Sequence, residues 1–370
     1  MELKVKSEEK LLRAQEKVIK DFEKKLRKDK SLGTGLLLVH SDALNIHLKA
    51  SAHHDPEVQS HADQPFHIAS IGKTFTSVII AMLQEQGKID FEDLISIHLP
   101  REAMQGLHVY KGRDYSGAIR IRHLLNHTSG LADYFMDKNF EGTRLMDLMI
   151  SEPDRYWTPI ETLEWTKKQL IPKFPPGKGF HYSDANYALL GLIIEKVTSL
   201  KYHGALSEFI FKPLGMKNSW LILHSEPEVL PDLHLGEFLH DGTDLYKAKS
   251  ISMSWASGGI VSTLEDMLKF MQALVKHELI GMDTREKMNN WAKMGFNLQY
   301  GYGIMKFSFP GMSKKYDIWG HSGSIGTVCY YNQSMDLYTI ATFHKVGYQV
   351  QPVIFLVKIL RKFRKALRFR

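Results

Sequence analysis

Only one cysteine, Cys329, occurs in 370 residues, which excludes an internal disulfide. It lies in the β-rich run Thr327-Val328-Cys329-Tyr330-Tyr331, where a thiol acts as a small core residue rather than as a nucleophile. No apolar run reaches the roughly eighteen residues that a membrane-spanning helix needs. The first thirty residues are dense in Lys and Glu and lack the apolar stretch of a secretory leader. The expectation is therefore a cytoplasmic chain, or a mature form that has lost its leader. Internal repeats, low-complexity tracts and flexible linkers are all missing. So is any G-x-S-x-G, which excludes the nucleophile elbow of an α/β-hydrolase. His123 and His127 stand four apart but enclose Leu-Leu-Asn, without the Glu of H-E-x-x-H or a third ligand. Neither a metal nor a cofactor is expected.

Acidic residues also run out. The net charge is +7, and no Asp or Glu follows Asp336. Lys358, Arg361, Lys362, Arg364, Lys365, Arg368 and Arg370 crowd the end instead. Such a tail suits anionic surfaces. The simpler reading is a packed C-terminal helix with a solvated basic face, open at most to weak contact with anionic lipid. Nucleic acid is not an expected partner.

What is present is a mixed pattern. Residues 8–30 place Leu11, Gln15, Val18, Phe22 and Leu26 on one helical face, with Gly33 as a stop. Gly35 to Val39 and Leu44 to Ala50 follow. The second alternates apolar and polar residues, as a strand with one buried face does, so the two form a hairpin. Residues 88–245 are mostly helical with proline-marked loops. Strands return at 304–307, 317–319, 327–331 and 337–343, and Val353, Leu356, Leu360, Phe363 and Leu367 stripe a last helix. This order predicts an α+β fold. An antiparallel sheet is built from both ends of the chain and flanked by the terminal helices. Residues 1–84 and 246–370 would form the sheet domain, and 85–245 a mainly helical insert.

Three clusters could carry chemistry. Ser70-Ile71-Gly72-Lys73 opens an apolar helix, and i, i+3 spacing brings the lysine to the hydroxyl. A serine needs a base or cation to become nucleophilic, and a helix start offers N–H groups to an oxyanion. The same spacing at Ser7-Glu8-Glu9-Lys10 falls on a charged, exposed helix. Tyr182-Ser183-Asp184-Ala185-Asn186 precedes an apolar helix, where a tyrosine serves as base if cations lower its pKa. Gly320-His321-Ser322-Gly323-Ser324 interrupts a strand with glycines that admit a substrate backbone.

In this order the triple resembles the S-x-x-K, Y-x-N and K-T-G set of the penicillin-recognising serine hydrolases. His123 to Leu131 resembles the family's H-L-L-x-H-T-S-G-L stretch, and Ser257 to Thr263 its G-G-L-x-S-T segment. The resemblance runs from about residue 35 to 345. It implies that Ser70 attacks a carbonyl and forms an acyl-enzyme. Tyr182, as a phenolate stabilised by Lys73, would take the Ser70 proton. Backbone N–H groups of Ser70 and Ser324 would hold the oxyanion, and His321 would orient the substrate and tune Tyr182.

Two positions depart from the pattern. Asp184 replaces the amide of Y-x-N and cannot donate to a carbonyl. It would pair with Lys73, leaving Asn186 to supply the amide. His321 replaces the K-T-G lysine and gives up the fixed charge that attracts a substrate carboxylate. The expected function is hydrolysis of a small ester or amide. A D-Ala-type peptidase or β-lactamase is the alternative, and a non-catalytic penicillin sensor is the alternative of another class.

Overall fold

The computed structural model describes residues 2–229, 232–240 and 243–367, with the side chains of 2–7 left aside. An eight-stranded sheet runs in the order Ala292–Gly295, Leu298–Tyr300, Met305–Phe307, Ile318–Ser322, Val328–Asn332, Leu337–Thr342, Gly35–Ser41, Ile46–Ala52. Every neighbouring pair is antiparallel. The two ends of the chain meet where Leu38 faces Ile340.

Burial divides along the sheet. Leu37, Val39, Val328 and Ala341 point to one face and pack against the first helix, Glu2–Lys28, and the last, Val350–Leu367. Leu36, Leu38, Cys329 and Ile340 point to the other, against the helix Gly72–Glu85 and its neighbours. This is the two-per-repeat alternation of a strand, used on both faces. Cys329 is buried, and burial pushes its thiol up to about 12.

Several boundaries differ from expectation. The first helix ends at Lys28, five residues before Gly33. Gly33 and Gly35 are both close-packed: a Cβ would lie 2.9 Å from the His344 Cβ at the first and 2.9 Å from the Leu26 side chain at the second. The second strand is Ile46–Ala52 rather than 44–50. The sheet also begins before residue 300, at Ala292. The middle of the chain is not wholly helical either. Trp220–Leu221 pairs with Ile260–Ser262, which also pairs with Phe66–His67 just before Ser70. This small second sheet ties the middle of the chain to the Ser70 loop.

At the C terminus the apolar stripe is used up in packing, with Phe363 fully buried. Lys362 pairs with Asp21, and Arg364 lies 4.9 Å over the Tyr316 ring. Arg368, Phe369 and Arg370 lie outside the described residues. No described helix is long and apolar enough to cross a membrane.

Candidate active site

Ser70 sits in a short helical turn, Ala69–Ile71, that runs into Gly72–Glu85. Ala69 is held at φ +48°, a costly conformation for a side chain that is not glycine. Two glycines crowd this turn. A Cβ on Gly258 would lie 3.1 Å from the Ala69 carbonyl carbon, and one on Gly323 would lie 2.9 Å from the Ala69 Cβ and 1.9 Å from Thr327 Oγ1. Thr327 Oγ1 in turn donates to the Ile68 carbonyl at 3.2 Å. The Ser70 turn is thus pinned between the Ser257-Gly258 and Ser322-Gly323 backbones.

Lys73 lies one turn on and is completely buried. Its ammonium reaches Ser70 Oγ at 3.2 Å, Asp184 Oδ1 at 2.5 Å and the Ser257 carbonyl at 2.9 Å. Lys73 is thus fixed between the Asp184 carboxylate, the Ser257 carbonyl and the nucleophile.

Asp184 is fixed from behind by carboxylates that the sequence reading missed. Asp133, buried, accepts the Asp184 N–H at 2.9 Å through Oδ1 and the Met136 N–H at 3.1 Å through Oδ2. Burial, then the Asp184 charge, raises the Asp133 carboxyl well above its usual range. The Asp133 N–H donates to Asp137 Oδ2 at 2.8 Å. Burial works against the Asp137 charge, but His181, the Asp133 N–H and Lys173 outweigh it and hold this carboxyl at about 2. Asp133 stands two residues past the Gly130-Leu131 end of the recognised stretch, the only sequence signal that could have found it.

Tyr182 packs half-buried at the same floor. Its ring lies 5.0 Å from Lys73 Nζ and 4.2 Å from the His127 ring centre. Burial, then the Asp184 charge, pushes the phenol well above its ordinary value, against a smaller opposing effect of the Ser70 hydroxyl. The expectation of a resting phenolate is corrected. Burial and the adjacent carboxylate both oppose a second negative charge at this position.

Two further expectations are overturned. Asn186 is fully buried, accepts from Ser129 Oγ at 2.6 Å and donates to His127 Nδ1 at 3.0 Å. Its amide is spent inside the protein and is not offered to substrate. His321 is also buried and does not line the cavity. Its Nδ1 donates to the Ser322 carbonyl at 2.7 Å, so Nε2 accepts from Tyr300 at 2.9 Å. Burial, then Lys73, drops its pKa to about 3. His321 is a neutral support for Tyr300, which stands edge-on to Tyr182 at 5.7 Å. His67 is buried and also lines the cavity.

The other named residues divide between wall and support. Ser322, Gly323 and Ser324 line the cavity with Ser70, Tyr182 and Asp184. The Gly323 N–H is spent on the Thr327 carbonyl at 2.8 Å, and the Gly347 N–H holds the Ser324 carbonyl at 2.8 Å. His123 and His127 serve structure. His123 Nδ1 accepts the Arg120 N–H at 3.1 Å, and His127 Nδ1 accepts the Ser183 N–H at 3.1 Å. The whole arrangement opens into a cavity of about 890 Å³.

Residues 18–353 match the Beta-lactamase family. The chain belongs to that family. Penicillin-binding protein 4* of Bacillus subtilis is 28% identical over 291 residues, which is 70% of this chain and 55% of that protein. The chain thus spans about half the length of this curated relative. Among solved structures, a D-stereospecific amidohydrolase from Streptomyces sp. superposes with a TM-score of 0.75 at 24% identity, over 91% of this chain and 96% of that one. A D-amino acid amidase from Ochrobactrum anthropi gives 0.76 at 21% identity, over 96% and 99%. These likenesses establish the β-lactamase-like fold.

Proposed function

We propose that the chain is a serine hydrolase that cleaves an ester or amide through an acyl-enzyme on Ser70. The observation that carries this is Ser70 at the floor of an open cavity. Its Oγ is 3.2 Å from the Lys73 ammonium, and Tyr182 lines the same cavity. In the first half-reaction Ser70 Oγ bonds to the substrate carbonyl carbon, its proton passes toward Tyr182, and the leaving group departs with a proton. In the second, water attacks the same carbon, the ester to Ser70 breaks, and Oγ regains a proton. Lys73 offsets the negative charge that develops beside it. Because the resting phenol is neutral, only the minor phenolate form accepts the serine proton.

The peptidase or β-lactamase reading draws support from the name of the Bacillus relative. It asks for a cation to meet a substrate carboxylate. Among the described residues, Arg144 is the one Lys or Arg side chain in the cavity wall, and it is bound by Asp147 through contacts of 2.7 to 3.2 Å. Intact-mass analysis separates the readings. Acetyl loading from p-nitrophenyl acetate and labelling by a fluorophosphonate are expected on wild type and not on Ser70→Ala. A penicillin should load slowly. Turnover that survives Ser70→Ala would rule the mechanism out.

A further inference from the structure

Above Ser70 the cavity walls are almost entirely apolar. Met146, Met149 and Ile251 line the cavity, as do Met305 and Phe307 of the sheet strand Met305–Phe307. The start of the last helix lines it too, and the apolar lining continues out to the rim. There Val350 is 65% exposed, Met136 56% and Ile354 51%. Large apolar groups left this exposed beside a site mark contact with something apolar.

Charge is scarce in the same walls. Among the described lining residues, Arg144 and Asp184 are the charged side chains apart from His67 and His240, and each is answered by a protein partner. No unpaired Lys or Arg stands among them to receive a substrate carboxylate, and burying one unpaired is costly. Five of the chain's 16 methionines line the space. Methionine is unbranched and flexible, so it adapts to a chain of no fixed shape. At about 890 Å³, the cavity is near the upper end of small-ligand sites, far more than an acetyl group fills.

We infer that the site takes an uncharged ester or amide bearing a long alkyl chain, and that this chain lies along the cavity lined by Met146, Met149, Met305 and Phe307. The inference rests on the hydrolase reading above and specifies its substrate class. Each methylene buried contributes free energy that corresponds to about a fourfold gain in kcat/KM.

Two substrate series test it. p-Nitrophenyl acetate, butyrate, hexanoate and octanoate, kept below aggregation, place the chain on the acyl side. Ethyl, butyl and octyl acetate place it on the leaving group. We expect kcat/KM to climb about fourfold per methylene in one series until the cavity fills. A terminal carboxylate on the octanoate should abolish that gain. Ile354→Glu and Met136→Glu alter exposed rim positions, so folding is not at stake, and each should lower the octanoate-to-acetate ratio at least fivefold. If acetate acylates Ser70 but neither series rises with length, the inference is overturned and the hydrolase reading stands. If no ester loads Ser70, both fall.

Discussion

Beneath Ser70, Lys73 gives its donors to Asp184, Ser257 and Ser70 itself, and Asp133 and Asp137 brace Asp184 from behind. Above Ser70, Met146, Met149 and Phe307 present apolar surfaces to the cavity. The two regions share one cavity yet solve different problems. A buried ammonium is tolerable only with every donor placed, so the floor has one arrangement. The walls exclude water by bulk, and thioether side chains can shift without loss of a hydrogen bond. Changes to the floor should therefore have steep effects, and changes to the walls graded ones.

The largest effect is expected from Asp184→Asn. Removing the carboxylate leaves a fully buried ammonium without its counter-charge, which typically costs about 3–5 kcal/mol of stability. Asp133 cannot stand in, because its oxygens are taken by the Asp184 and Met136 N–H groups. Urea unfolding of wild type and variant measures this. The folded variant should still turn over esters, since Ser70 and Tyr182 are unchanged. A stability change under about 1 kcal/mol, the scale of an exposed pair, would show that the floor does not depend on this ion pair.

Next comes Tyr182→Phe, with a loss of about a hundredfold or more in kcat, the usual scale for a positioned base. The pH profile sharpens it. The phenol sits well above its ordinary value because of burial and Asp184. The phenolate fraction then grows about tenfold per pH unit, and the rate should climb through pH 9 without a plateau. A rate that falls above neutral pH would exclude Tyr182 as the base.

How much of this contrast is legible in the sequence depends on how local each signal is. The strands 328–332 and 337–342 show as β-rich runs around a turn, because each strand carries its own period. The final helix stripe is equally plain. Ala292–Gly295 and Leu298–Tyr300 escape notice because short strands with exposed residues such as Lys293 and Gln299 lack a buried pattern. Ser70, Lys73 and Tyr182 stand out through ordered motifs, and the Lys73–Asp184 pair follows from charge. The fates of Asn186 and His321 do not. Both are settled by partners distant in sequence, Ser129 at 57 residues and Tyr300 at 21. A motif reports residue types, and only the fold reports whether a donor is already spent.

A smaller effect should appear on acidification. His67 and His321 are driven by burial from 6.5 to about 3, so both are neutral when folded. The unfolded chain takes up protons as pH falls through 6.5, while the folded chain resists until about 3. Their contribution is therefore complete above about pH 6.5 and is lost as pH drops toward 3. Each histidine sets a slope of up to about 1.4 kcal/mol per pH unit. Urea midpoints at pH 7.5, 6 and 5 give the slope, and His321→Gln should remove one histidine's share. An unchanged slope would mean that His321 is protonated in the fold.

The mildest expected effect concerns the cationic end of the last helix, far from the chemistry. A weak contact with anionic lipid remains a proposal, and the packing narrows which residues can make it. Lys362 is engaged by Asp21 and Arg364 by Tyr316 and Ser334, whereas Lys358 and Lys365 are exposed. Deleting residues 361–370 would confuse the test, because it removes the buried Phe363. Lys358→Gln with Lys365→Gln leaves the apolar stripe intact. Each cation near an anionic surface contributes about 1 kcal/mol, so each substitution should weaken binding roughly fivefold. Co-sedimentation with vesicles containing phosphatidylserine, at low and high salt, reads this. Equal binding by wild type and the double variant, or binding indifferent to salt, would leave the basic end as a solvated helix face.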